Sequence, residues 1–161
     1  MKQLILTRHA KAKNDFFLDD YDRPLIQQGE NEAKLMANQL LKNNICPDLM
    51  ISSGANRALS TSKIISNIIS YPQLNIEINN DIYNANVQDI IQIIKNVDDK
   101  KNTLMITGHN PSLYNLTQHF SNEVITAFPT CTIVYIHFDI NNWINVIKGK
   151  IEFLIYPDLF I

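Results

Sequence analysis

The sequence predicts an α/β fold in which a mostly parallel central sheet is covered by helices on both faces. Two observations carry this. Short apolar runs alternate with stretches of helical periodicity along the chain, the pattern of strand–helix units. Several of those runs are continuously apolar, as strands buried on both faces are. At 161 residues with 45% hydrophobic content, the chain is expected to form one domain, residues 1–161, with a sizeable core.

Lys2 to Thr7 is an apolar run ending at polar residues and reads as a buried strand. Residues 11 to 26 are polar and irregular, and Pro24 stops any helix there. From Gln28 to Lys42, Ala33, Met36, Ala37, Leu40 and Leu41 share one helical face. Asp48 to Ser52 is a second short strand, followed by a helix over Ala55 to Ile69. Leu74 to Ile78 reads as a third strand, and Val87 to Val97 as a helix with Ile90, Ile91, Ile94 and Val97 inward. Thr103 to Thr107 is a buried strand. Pro111 to Phe120 is a helix whose leading proline suits an early helical position. Thr130 to Ile140 and Lys148 to Tyr156 read as two longer strands.

Several function classes are disfavoured by composition. The net charge is −2 and like charges do not cluster, so general nucleic-acid binding is not expected. No run of about 20 apolar residues occurs, so no membrane span is expected. The first residues reach Arg8 too soon for a signal peptide, and a cytoplasmic location is the expectation. Cys46 and Cys131 lack a CxxC pattern and are expected to be reduced and buried. A monomer is the default, and no cofactor is implied.

In parallel α/β sheets the ligand site lies beyond the carboxyl ends of the strands. Three strands here end in reactive polar groups: Thr7-Arg8-His9, Ser52-Ser53-Gly54 and Thr107-Gly108-His109. Adjacent parallel strands would bring Arg8, His9 and His109 together, with Arg57 from the first turn of the following helix. Two guanidiniums offer planar paired donors for phosphate oxygens. Two imidazoles supply a nucleophile or acid–base group and a further donor. No Asp or Glu stands at these strand ends, which argues against a divalent metal held by carboxylates. Arg8 and Arg57 are expected to lower the pKa of His9 and keep its attacking nitrogen unprotonated.

These residues resemble those of the histidine phosphatase superfamily, which has a phosphoglycerate mutase-like fold. Arg8-His9-Ala10 is similar to its signature, with Ala in place of Gly. Ser52-Ser53-Gly54-Ala55-Asn56-Arg57-Ala58 resembles its SSPxxRA block, and Thr107-Gly108-His109-Asn110 its second-histidine block. Asp22-Arg23-Pro24-Leu25, Ile82-Tyr83-Asn84-Ala85 and the ending Phe153 to Leu159 resemble the short SixA-type phosphohistidine phosphatases. Gly54 and Asn56 depart from the usual Pro and Arg.

The resemblance implies that His9 is transiently phosphorylated, while Arg8, Arg57 and His109 bind the phosphoryl oxygens without a metal. Asn110 and Ser52 are further candidate contacts, with helix capping as the alternative. Arg23 is either a rim contact or a loop-fixing salt bridge. Many relatives carry a glutamate that protonates a leaving alcohol, within the stretch matching residues 80 to 90. Here that stretch holds only Asp81 and Asp89. An alkoxide needs a proton donor, whereas phosphohistidine leaves as neutral imidazole. The expected substrate is therefore a phosphorylated protein such as a histidine phosphotransfer domain. A small-molecule phosphomonoesterase and a catalytically idle phosphate-binding module are the alternatives.

Overall fold

The computed structural model describes residues 1–161. Its sheet is built on two almost wholly buried strands, β1 (Lys2–Arg8) and β4 (Thr103–Gly108). They pair in parallel, with Thr7 opposite Thr107 and Arg8 opposite Gly108. On the far side of β4 lies β2 (Leu49–Ser52), also parallel, with Ser52 opposite Thr107. The carboxyl ends of β2, β4 and β1 therefore stop at one level. β3 (Glu77–Ile78) completes that edge. On the other side, β5 (Ile133–Phe138) runs antiparallel to β1, and β6 (Lys150–Ile155) antiparallel to β5. The order is β3-β2-β4-β1-β5-β6, with only β5 reversed.

Side-chain alternation along the central strands divides the core between the two faces. Ile5, Met50 and Met105 pack with Ala33, Met36 and Leu40 of α1 (Gln27–Lys42) and with Ile65 of α2 (Asn56–Ile68). Leu4, Leu6, Leu104 and Ile106 pack on the opposite face. Their partners include Ile90 and Ile94 of α3 (Val87–Lys95) and Leu113, Leu116 and Phe120 of α4 (Ser112–Phe120). No helix is long and apolar enough to cross a membrane.

Four expectations need correction. The strand expected at Leu74 to Ile78 is mostly a 3-10 turn, Gln73–Asn75, and only two residues pair. Leu74 is exposed, so its apolar character signals no burial. The strand expected from Thr130 starts only at Ile133, because Cys131 turns the chain with φ 63°. The last strand is likewise trimmed to Lys150–Ile155. Both cysteines are free, but Cys46 is exposed; Cys131 alone is buried, and burial pushes its thiol up to about 12.

Candidate active site

His9 leaves β1 with its backbone held from both sides. Its N–H donates to the Gly108 carbonyl (3.0 Å), and its carbonyl accepts from the Cys131 N–H (3.0 Å). Next to it, the buried Ala10 N–H donates to Thr61 Oγ1 (3.0 Å), whose hydroxyl donates to the Arg57 carbonyl (2.7 Å). Thr61 thus ties the end of β1 to the first turn of α2, which carries Arg57. Neither His9 nor Arg57 is more than 8% exposed.

The His9 ring has a defined polarity. Nδ1 lies 2.8 Å from the Ala10 carbonyl, and a carbonyl only accepts. Nδ1 therefore carries the proton, and Nε2 of the neutral ring keeps its lone pair. Arg57 Nε–H points at that lone pair from 3.3 Å. The His109 ring centre lies 5.2 Å from that of His9. Its Nε2 is 2.8 Å from Ser53 Oγ, and its buried Nδ1 has no partner in the protein.

Burial sets the charge state of both rings. His9 is pushed down to about 4, mainly by desolvation, with Arg57, Arg8 and Arg23 acting in the same direction; its bond to Ala10 opposes them. The arginines therefore contribute as expected, but burial leads. His109 is pushed down to about 3, again mainly by burial, with His9 and Arg57 adding to it. Both imidazoles are neutral at pH 7.

Arg8 Nη1 and Asn110 Nδ2 both donate to the Phe128 carbonyl, at 3.0 and 2.9 Å. Arg8 Nε is buried without a partner in the protein. Arg8, His9, Arg23, Arg57, His109 and Asn110 all line one cavity of about 380 Å³. Arg23 is both a rim residue and a loop fastener: it pairs with Asp20 at 3.0 Å and donates to the Lys13 carbonyl at 3.2 Å.

Ser52 does not line this cavity. It is fully buried, and its hydroxyl donates to the Ser53 carbonyl at 2.9 Å. Ser53 is the serine whose hydroxyl meets His109, and it also accepts from the Ala55 N–H (3.2 Å). Ser52 belongs to the paired strand and Ser53 is the first residue beyond it, so only Ser53 is free to turn toward the site.

Asp20 is the residue that the sequence reading missed. It sits in a 3-10 turn, Asp20–Asp22, and its Oδ2 accepts from Arg57 Nη2 at 3.0 Å. Its carbonyl accepts from Arg57 Nη1 at 2.6 Å, and the Tyr83 hydroxyl donates to the same Oδ2. The Tyr83 hydroxyl first, then Arg57 and Arg23, hold this carboxyl well below the usual carboxylate range. The only local signal was an acid three residues before the Arg23-Pro24 pair. Tyr83 also sets its ring edge against His109, with ring centres 5.4 Å apart.

Asp81 and Asp89 lie elsewhere. Both line a separate cavity of about 920 Å³ that contains none of these histidines or arginines. Asp89 is committed to a capping box with Asn86 at the start of α3. The departures from the family pattern also have local reasons. Asn56 Nδ2 holds the Asp22 carbonyl at 3.1 Å, and a side chain at Gly54 would overlap the Tyr21 hydroxyl and Asn80.

No family model matches the sequence. An uncharacterized protein of Mycobacterium tuberculosis is 33% identical over 152 residues, covering 88% of this chain and 92% of that one. A 2,3-bisphosphoglycerate-dependent phosphoglycerate mutase of Bifidobacterium longum is 37% identical over 65 residues, covering 38% of this chain and 26% of the mutase. The solved structure of the protein histidine phosphatase SixA complexed with tungstate superposes with a TM-score of 0.87 at 20% identity, over 99% of both chains.

The fold is therefore the one seen in the solved protein histidine phosphatase SixA.

Proposed function

We propose that the protein is a phosphohistidine phosphatase that works through a phosphorylated His9. The observation that carries this reading is the fixed polarity of the His9 ring. With Nδ1–H on the Ala10 carbonyl, the Nε2 lone pair faces Arg57 beside His109.

In the first step, Nε2 of His9 forms a bond to phosphorus as the substrate's phosphorus–nitrogen bond breaks. The electron pair stays with the departing imidazole, which leaves neutral because its other nitrogen carries a proton. Arg8, Arg57 and His109 donate hydrogen bonds to the phosphoryl oxygens, where the charge of such transition states resides. In the second step, water attacks phospho-His9. The N–P bond breaks toward His9, which is again a good leaving group because Nδ1 keeps its proton on the Ala10 carbonyl. One water proton goes to solvent and the phosphate departs.

Neither step needs a side chain to protonate an alkoxide. That fits a site in which Asp20 is held ionised by two arginines and a tyrosine, and Asp81 and Asp89 stand apart. The guanidiniums supply the positive charge that a divalent cation supplies elsewhere, so activity is expected to survive EDTA. A chain of 161 residues without large insertions leaves such a cleft accessible to a phosphorylated side chain presented by another protein.

The test uses a phosphorylated histidine phosphotransfer domain, an aryl phosphate and a set of sugar phosphates, each with and without EDTA. Expected are turnover of the phosphorylated domain, an acid-labile label on His9, and loss of both in His9→Ala with the fold retained. Turnover of sugar phosphates but not phosphohistidine would sink the reading. Near-normal activity of His9→Ala would sink the covalent mechanism.

A further inference from the structure

The segment from Asn14 to Asp20 leaves the active cleft and returns to it. At its start, Arg23 Nη1 donates to the Lys13 carbonyl (3.2 Å) and to Asn14 Oδ1 (3.3 Å). At its end, Asp20 is bound by Arg57 and Arg23. Asn14, Arg23 and Arg57 line the cavity that holds His9. Between these anchors the chain turns, with the Leu18 N–H on the Asp15 carbonyl (3.3 Å) and the Phe17 N–H on Asp15 Oδ1 (2.9 Å).

The turn displays Phe16 and Phe17 with their full surface in water, 102% and 100% exposed, and Leu18 at 41%. Phe17 is three residues from Asn14, so the apex stands at most ~10 Å from the cleft rim. These rings contribute nothing to the core. Aromatic side chains are enriched at the centres of protein interfaces, and a loop held at both ends loses little freedom on binding.

Charge narrows the choice of occupant. Asp19 and Asp22, on the returning limb, make no ion pair, whereas Asp15 pairs with Lys13 at 3.5 Å. Free carboxylates disfavour an anionic lipid surface. A two-fold contact with a second copy would set these carboxylates against their own counterparts. A histidine reaching Nε2 of His9 brings the surface that bears it over the rim, beside the two rings.

We propose that Phe16 and Phe17 dock the protein that presents the phosphohistidine, packing on an apolar patch next to that histidine that is bordered by basic residues. This rests on the phosphatase reading above and adds how the substrate protein is held.

The test compares wild type with Phe16→Ser/Phe17→Ser on two substrates: a phosphorylated histidine phosphotransfer domain and free phosphohistidine. Expected is at least a tenfold loss of kcat/KM on the phosphorylated domain, carried by KM, with free phosphohistidine unaffected. Equal losses on both substrates, or no loss on either, would overturn the docking role. So would phosphatidylserine–phosphatidylcholine vesicle binding that disappears in the variant, or a wild-type dimer that the variant splits. A wild type that hydrolyses free phosphohistidine but not the phosphorylated domain overturns the docking alone. A wild type inactive on both overturns the phosphatase reading and the docking with it.

Discussion

The protonation of His9 is the quantity on which the proposed chemistry turns, and it can be measured directly. His9 is pushed down to about 4 from an ordinary 6.5, first by burial and then by three guanidiniums. At about 1.4 kcal/mol per pH unit, that gap is about 3 kcal/mol against charging the ring in the folded protein. At pH 5 such a ring is about 90% neutral, against about 3% for an ordinary histidine, a ratio of about thirty. Ring nitrogen shifts of histidine-labelled protein, assigned with the help of His9→Gln, should titrate with a midpoint near 4 and report the Nδ1–H tautomer. Arg57→Ala should move the midpoint up, but not as far as 6.5, because burial is the largest cause. A midpoint above 6, or a proton on Nε2, refutes the argument that the fold presents a free lone pair. Stability follows with a definite sign. Between pH 6.5 and about 4 the unfolded chain binds a proton at His9 that the folded chain does not, so stability falls as pH drops through that window. His109, pushed down to about 3, adds in the same direction. Thermal melts should therefore show a lower Tm at pH 4.5 than at pH 7.5.

Ser53→Ala and Ser52→Ala should separate the two serines. The first removes the partner of His109 Nε2 and should lower kcat, whereas the second should leave kcat unchanged, as steady-state assays will tell. Asp20→Asn removes a negative charge from beside Arg57 while keeping its shape. Because Asp20 is half exposed, the effect is modest: inorganic phosphate should bind about two- to fivefold tighter by calorimetry. Gly29→Ala places a methyl group on the Lys11 carbonyl, which accepts from the Ile26 N–H at 3.1 Å. Relieving that overlap should cost about 1–3 kcal/mol in denaturant melts.

The chain's local chemistry was enough to outline the sheet. β1 and β4 were legible because strands buried on both faces must be continuously apolar, and α1 to α4 because their inward positions recur at helical spacing. It also named Arg8, His9, Arg57 and His109, since each ends a strand or opens a helix at a recognisable motif. It could not say that β5 would run antiparallel, because hydrophobic pattern records burial and not strand direction. Leu74 misled for a related reason: at the sheet edge an apolar side chain can stay in water. Ser52 and Ser53 are neighbours whose roles depend on the last residue to pair with β4, a matter of register. Asp20 meets Arg57 across 37 residues and Tyr83 across 63, contacts that leave no local trace. The sequence by itself thus determined which groups are available for chemistry and which segments must be buried. Only the tertiary structure decided which nitrogen of His9 faces the cleft, how far burial shifts its protonation, and which carboxylate stands beside Arg57. Those depend on distances between atoms far apart in the chain, which packing sets and composition does not.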